Sequence, residues 1–283
     1  GESVQVVAKE LTNVSEDEFH SIPIIKENAE ILKQELLKKY SDVFAVEDEL
    51  RPMVDVGGEM KIELKPDAKP FCVYTARAIP LANRKLVREE LDDMERKGII
   101  ERIGDRSVPW CHPMVVQRKP KGGVRITTDL TNLNSQVQRT IHNSRTPADI
   151  MADRTLGDKF FTTLDAKTGY WQVPLAEEAK DLTTFITPWG RYRYNRCPMG
   201  FISGGDSYCL RGDNALEGLE NTKKIVDDIL IGNKSFKENF FATVEVLERC
   251  QKHNVTLNPN KFVFAQKRVK FAGFILTPEG AEA

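Results

Sequence analysis

Ile225-Val226-Asp227-Asp228-Ile229-Leu230-Ile231-Gly232 sets two adjacent carboxylates between two apolar, β-prone runs. Like charges about 4 Å apart repel by roughly 4 kcal/mol at an effective dielectric near 20. An ordinary turn relieves that cost with Asn or Gly, so a retained pair points to something that offsets the charge, most simply a divalent cation. Phe161-Thr162-Thr163-Leu164-Asp165 is a second β-prone run that also ends on a carboxylate, just ahead of a Gly-containing segment. If the two runs pair, three carboxylates meet at one end of a sheet, an all-oxygen site suited to magnesium or manganese. On spacing alone, a solvated turn stays the competing reading.

Working outward, residues 114–118 and 124–128 read as two strands around Lys119-Pro120-Lys121-Gly122-Gly123, a hairpin with a cationic tip. Residues 170–175 read as extended, and residues 183–187 and 191–194 flank Pro188-Trp189-Gly190 as another hairpin. Met60, Ile62 and Leu64 alternate with charges as a strand would, and residues 261–265 and 269–276 read as further strands. Apolar stripes predict helices over residues 24–40, 81–97 (closed by Gly98) and about 205–219. Ser235 with Glu238 makes a capping box for a helix reaching about residue 253. Short hairpins with segregated helices and no internal repeat indicate an α+β fold rather than a doubly wound one.

The chain has 283 residues, 40% hydrophobic and 29% charged, which excludes disordered and collagen-like classes. Its formal net charge of -1 hides a segregation. Residues 1–63 hold 15 acids and 7 bases, against 27 acids and 34 bases in the remainder, which permits a polyanionic partner. The five cysteines, Cys72, Cys111, Cys197, Cys209 and Cys250, follow no CxxC or zinc spacing, and a reducing compartment is the simplest reading. No apolar run approaches the length of a membrane span, so no membrane partner is expected. The four histidines lack HExxH spacing, and Arg211-Gly212-Asp213, though it spells a cell-adhesion tripeptide, falls inside a predicted helix.

Taken together, the motifs resemble those of reverse transcriptases of gypsy-type LTR retrotransposons and their retroviral relatives. The segment from Phe161 through Asp165 to Gly169-Tyr170-Trp171-Gln172-Val173-Pro174-Leu175 looks like the first catalytic motif, and Ile225 to Leu230 like the second. Cys197-Pro198-Met199-Gly200-Phe201 is similar to the nucleotide-pocket motif, and the stretch from Pro113 to Asn134 to the fingers hairpin. Leu257-Asn258-Pro259-Asn260-Lys261 and Phe271-Ala272-Gly273-Phe274-Ile275 look like the later palm motifs, the last being the primer grip. Six motifs in the family's order is a far more specific signal than any one of them.

The resemblance implies a right-hand polymerase, with an acidic leader bearing one amphipathic helix (1–58), mainly fingers (59–160) and mainly palm (161–283). The palm would be an antiparallel sheet backed by helices. Because the chain lacks an initial Met and stops after the primer grip, a fragment without a complete thumb or an RNase H domain is expected, with weak, distributive extension. It implies RNA-directed DNA polymerase activity with an RNA or DNA template, a primer and deoxynucleoside triphosphates. Further Pol segments of the transposable element would be partners, in cytoplasmic virus-like particles or in the nucleus. Asp165, Asp227 and Asp228 would hold two magnesium ions, or manganese, helped by the carbonyl of Ala166. Lys119 and Arg125 would grip the triphosphate, with Arg118 and Lys121 as neighbours of that lysine. Thr168 and Gly169 would offer backbone N–H groups, Tyr170 would gate the sugar, and Met199 and Gly200 would line the base-pair pocket. Ile225, Val226, Ala272 and Gly273 would touch the primer. Ile225 replaces the family's usual Tyr, Met199 its Phe or Gln, and Ser203-Gly204-Gly205 a stretch usually carrying Asn or Ser before Ala or Pro; Thr131 stands where retroviral relatives have Arg. A catalytically weak remnant kept as a nucleic-acid-binding or interaction module is the alternative reading, and a two-metal nuclease a remote third.

Overall fold

β-Branched and aromatic clusters set the strands, which in chain order are β1 (Ile100–Arg102), β2 (His112–Arg118), β3 (Val124–Thr128), β4 (Phe160–Asp165), β5 (Phe185–Thr187), β6 (Gly190–Tyr194), β7 (Thr222–Ile225), β8 (Asp228–Asn233), β9 (Val263–Gln266), β10 (Val269–Phe271), β11 (Phe274–Thr277) and β12 (Gly280–Glu282). The longer helices are α1 (Ala29–Lys39), α2 (Leu81–Arg96), α3 (Gly204–Ala215) and α4 (Phe236–His253). This computed structural model describes residues 22–44, 50–152, 157–167 and 169–282. Residues 1–21 and 45–49 of the acidic leader, and Thr168, lie outside the described residues. The chain divides into two units that share it in alternation, one built from residues 1–48, 145–167 and 215–283, the other from 49–144 and 168–214.

The first unit centres on an antiparallel sheet in the order β7-β8-β4-β9, with a meander β10-β11-β12 beside it in sequence. Ser235 caps α4 through the expected box: its Oγ accepts from Glu238 N–H (3.2 Å) and its own N–H donates to Glu238 Oε2 (3.0 Å). α4 buries Phe236, Phe240, Val244 and Leu247 against the sheet, each large side chain contributing about 1.5–3 kcal/mol by leaving water. Asn239 on α4 ties helix to sheet, accepting from Thr162 Oγ1 (2.6 Å) and donating to the carbonyls of Phe160 (3.2 Å) and Ile231 (3.3 Å). α1, preceded by a 3-10 turn at Lys26–Asn28, buries Leu32 and Leu36, and the residues after it lock onto this unit. Val43 O accepts from Leu257 N–H (2.8 Å), and the rings of Phe44 and Phe262 lie 5.1 Å apart.

In the second unit a five-stranded sheet runs β1-β6-β5-β2-β3, all pairs antiparallel except β2 with β5. α2 packs Val87, Leu91 and Met94 inward and ends at Arg96, capped by Lys97, with Gly98 at φ +69°. Arg193 joins Glu101, Glu177 and Asp181 (2.5, 2.7 and 3.0 Å), and Arg106 clasps Asp181 through two bonds (2.6 and 2.7 Å).

Four strand expectations need correction. Met60 and Leu64 form only isolated bridges, to Leu175 and Val137, because each pairs with a different segment: Met60 with residues 174–176, and the flanks of Leu64 with residues 136–138. Residues 169–172 coil as a 3-10 turn instead of extending. The strand expected over 261–265 forms as β9 from Val263, because Lys261 ends a 3-10 turn over Pro259–Lys261 opened by Asn258, whose side chain accepts from Asn260 N–H. Residues 269–276 break at Ala272 and Gly273, both at positive φ (+50° and +87°), into the hairpin β10-β11 with Phe271 opposite Phe274.

Candidate active site

The strand ends deliver the carboxylates. β4 and β8 pair antiparallel in one register from Phe160↔Asn233 to Asp165↔Asp228, so the last residue of one strand faces the first of the other. Asp227 sits in the tight turn that joins Ile225 to Asp228 across β7 and β8. The turn is strained: Val226 adopts φ +50°, a left-handed conformation that a β-branched residue holds only at a cost on the order of 1–3 kcal/mol. Backbone bonds hold the place. Ala166 N–H donates to Asp227 O (2.8 Å), Asn258 N–H to Asp165 O (2.8 Å) and Lys167 N–H to Thr256 O (2.9 Å).

Asp165 and Asp228 meet through their side chains, and the carboxyl of Asp228 is pushed up to about 6, first by burial and then by the hydrogen bond and negative charge of Asp165. Asp227 is raised as well, by burial and then by Asp165, with Lys224 and Lys261 opposing. Lys261 places its Nζ 3.2 Å from Asp165 Oδ2. Among the described residues no three His, Cys, Asp or Glu side chains are already drawn into a metal cluster. The donor set nevertheless fits a hard divalent cation. It is all oxygen, and two of its carboxyls are biased toward the protonated form by burial and by charges that a cation would neutralise. In the sequence Lys261 stands out only as part of a motif, which does not disclose its partnership with Asp165. Nothing local in Asn258-Pro259-Asn260-Lys261 signals a pairing set by the β4–β9 fold.

The residues expected at the primer lie in the same unit. Ile225, Ala272 and Phe274 pack against one apolar cluster of Ile150, Phe161, Leu230, Val269, Phe271 and Leu276, while Val226 is exposed. Gly273 completes the β10-β11 turn.

The expected nucleotide residues lie in the second unit. Lys119 follows β2, its N–H donating to Gly123 O (3.1 Å) and its ammonium 3.5 Å from Glu90; Arg118 donates to Asn83 Oδ1 (2.6 Å); Arg125, on β3 opposite Gln117, is exposed. Gly169 and Tyr170 interlock with α3 in a reciprocal way. A Cβ on Gly169 would meet the Tyr208 ring at 2.9 Å, and one on Gly204 would meet the Tyr170 ring at 3.0 Å. Each ring therefore rests on a glycine of the other element. Gly200 (φ +86°) is half of a clamp that sequence reasoning missed, in which Asn134 donates to Gly200 O (2.9 Å) and accepts from Ile202 N–H (3.0 Å). Met199 is half-buried beside it. Arg211 is buried, donating to Gly58 O and Ser207, which leaves the adhesion tripeptide no accessible arginine.

The reverse transcriptase (RNA-dependent DNA polymerase) family profile matches residues 117–276, more than half of the chain. The chain belongs to the reverse transcriptase family. Among curated relatives of this family, an enzymatic polyprotein of Cestrum yellow leaf curling virus is 32% identical over 78% of this chain and 35% of its own length. The Pol polyprotein from transposon 412 of Drosophila melanogaster is 27% identical over 87% of this chain and 20% of its own length. The chain thus spans about a third or less of the length of these two relatives. Solved foamy viral protease–reverse transcriptase structures, one with double-stranded DNA and one with an RNA/DNA hybrid, each superpose with a TM-score of 0.76 over 99% of this chain, at 18% identity and 47% and 36% of their lengths. They establish the mixed α+β fingers and palm fold of reverse transcriptases for this chain. No helix among the described residues is long and apolar enough to cross a membrane.

Proposed function

We propose that the chain is the part of an RNA-directed DNA polymerase that adds deoxynucleotides to a primer 3'-hydroxyl, working from a retrotransposon Pol polyprotein. The observation that carries it is the Asp165↔Asp228 register, which brings the two strand-end carboxylates face to face with Asp227 in the adjoining turn. Asp165, Asp227 and Asp228, with the Ala166 carbonyl, would hold two magnesium ions. Such cations, when bound, lower the pKa of the attacking hydroxyl and neutralise charge on the departing pyrophosphate. Lys261 keeps Asp165 compensated beforehand and orients its carboxylate. Arg125 and Lys119 bring cationic donors to a triphosphate, Arg by its bidentate fork. Gly169, and with it Thr168, supplies backbone donors, and Tyr170, half-exposed on its glycine seat, limits room at the sugar. Ile225, Val226, Ala272 and Gly273 support the primer end, and Met199 and Gly200 the new base pair. Template, primer, deoxynucleotides and further Pol segments are the partners, in cytoplasmic virus-like particles or the nucleus.

Primer extension on an RNA template with magnesium and deoxynucleotides tests this. Asp227→Asn should slow extension roughly a hundredfold or more, the factor that about 3 kcal/mol of lost charge stabilisation gives. Equal extension by parent and variant would sink the polymerase reading. The Lys261 ammonium on Asp165 favours a second reading, a nucleic-acid-binding module without catalysis, and no extension by the parent together with retained duplex binding is its signature.

A further inference from the structure

Cys72 and Cys111, 39 positions apart in sequence, face each other across an isolated parallel bridge. The bridge is closed on both sides: Cys111 N–H donates to Phe71 O (2.9 Å) and Val73 N–H donates to Cys111 O (2.9 Å). Extended segments paired in this way lie about 4.8 Å apart, inside the roughly 4.4–6.8 Å between Cα atoms that a disulfide accepts. The Cys72 side chain is close enough to Cys111 to raise its thiol. Both are free, and they are unequal: Cys111 is fully buried, whereas Cys72 is the cysteine of the chain that reaches solvent, the other four being buried. Burial, with Cys72 adding to it and Arg191 opposing, pushes the Cys111 thiol up to about 11. Access gives the first step to Cys72, and the raised Cys111 thiol is a poor first nucleophile.

We propose that Cys72 and Cys111 are a redox modification site that closes as a reversible intramolecular disulfide by exchange with a small-molecule disulfide such as oxidised glutathione. The Cys72 thiolate attacks one glutathione sulfur, forming a mixed disulfide and releasing one glutathione thiolate. Cys111 then attacks the Cys72 sulfur of that mixed disulfide and releases the second glutathione. Two protein thiols lose two protons and two electrons, and one oxidised glutathione leaves as two reduced molecules. The bond staples the strand-like segment around Cys72 to the root of β2, closing a loop of some 40 residues that contains α2. By loop-closure entropy the thermal midpoint rises by about 5–10 °C.

The test equilibrates the whole chain in glutathione buffers of stepped oxidation, quenches with a thiol-blocking reagent, and reads intact mass, a non-reduced peptide map and the thermal midpoint. The expected result is loss of two hydrogens, a linked peptide joining Cys72 to Cys111, and a raised midpoint, all reversed by dithiothreitol. Cys72→Ser should abolish all three while keeping the parent's midpoint under reducing conditions. Cys111→Ala should stop at a single glutathione adduct on Cys72. The proposal is overturned if the parent itself accumulates that adduct without a linked peptide, if the link joins another cysteine, or if the most oxidising buffer changes nothing.

Discussion

Asp228→Asn removes one charge from the carboxylate cluster and keeps the shape of the side chain. In the folded chain Asp228 titrates near 6, against about 3.9 when unfolded. Because the folded value is the higher, the folded state binds the extra proton between pH 4 and 6. The site's penalty is therefore absent below pH 4, grows through that window and is complete above pH 6. A gap of about two pH units between the folded and unfolded values, at 1.36 kcal/mol for each, sets a ceiling near 3 kcal/mol. Asp228 is half-exposed and water screens its neighbours, so about 1–2 kcal/mol is the expected share. At pH 7.5 with a chelator present, Asp228→Asn should thus stabilise the chain by about 1–2 kcal/mol, a rise of roughly 2–6 °C in thermal midpoint. At pH 4 the difference should vanish. Urea unfolding at both pH values checks this, and adding magnesium should stabilise the parent more than the variant. A variant no more stable than the parent at pH 7.5, or a gain that persists at pH 4, would refute the reading of a mutually repelling acid cluster.

Gly204→Ala puts a methyl group 3.0 Å from the Tyr170 ring and 3.1 Å from Cys197 Sγ; it should cost about 1–2 kcal/mol and change the ratio of ribo- to deoxynucleotide incorporation several-fold, whereas an unchanged ratio would separate Tyr170 from sugar choice. Arg193→Met removes the cation shared by Glu101, Glu177 and Asp181, leaving Asp181 with Arg106 and Glu177 with Lys180, and should lower stability by roughly 1–2 kcal/mol in urea unfolding; a loss under about 0.5 kcal/mol would show that the network adds little to stability. Ala272→Gly relieves φ +50° at the β10-β11 turn and should stabilise by about 0.5 kcal/mol in the same assay, net of the greater freedom of glycine in the unfolded chain.

What the sequence discloses tracks how local the cause is. The β2-β3 hairpin and the Ser235 capping box are set by neighbours in sequence, and both form where their residues predict. The three aspartates are legible because charge between apolar runs is costly wherever it sits. The Gly169–Gln172 turn is not, since its coil depends on the Tyr208 ring lying against a glycine 39 positions earlier. Residues 269–276 read as one strand because Ala272-Gly273 is not the Asn-Gly that usually marks such a turn. Asn134 and Lys261 are invisible as clamps for the same reason: each meets its partner only through tertiary structure.

The alternation of the two units along the chain fixes an order of events during synthesis. The second unit's last residue, Asn214, is made before any of β7 or β8, while Asp165 belongs to a unit that also needs residues 215–283. A growing chain can therefore complete the second unit while β4 still lacks both of its sheet neighbours, β8 and β9. Its apolar residues Phe161 and Leu164 must wait uncovered for that interval. A ribosome pausing shortly after residue 214 would expose an unpaired strand that ends on the Asp165 carboxylate, and that is the stage at which a chaperone has most to protect.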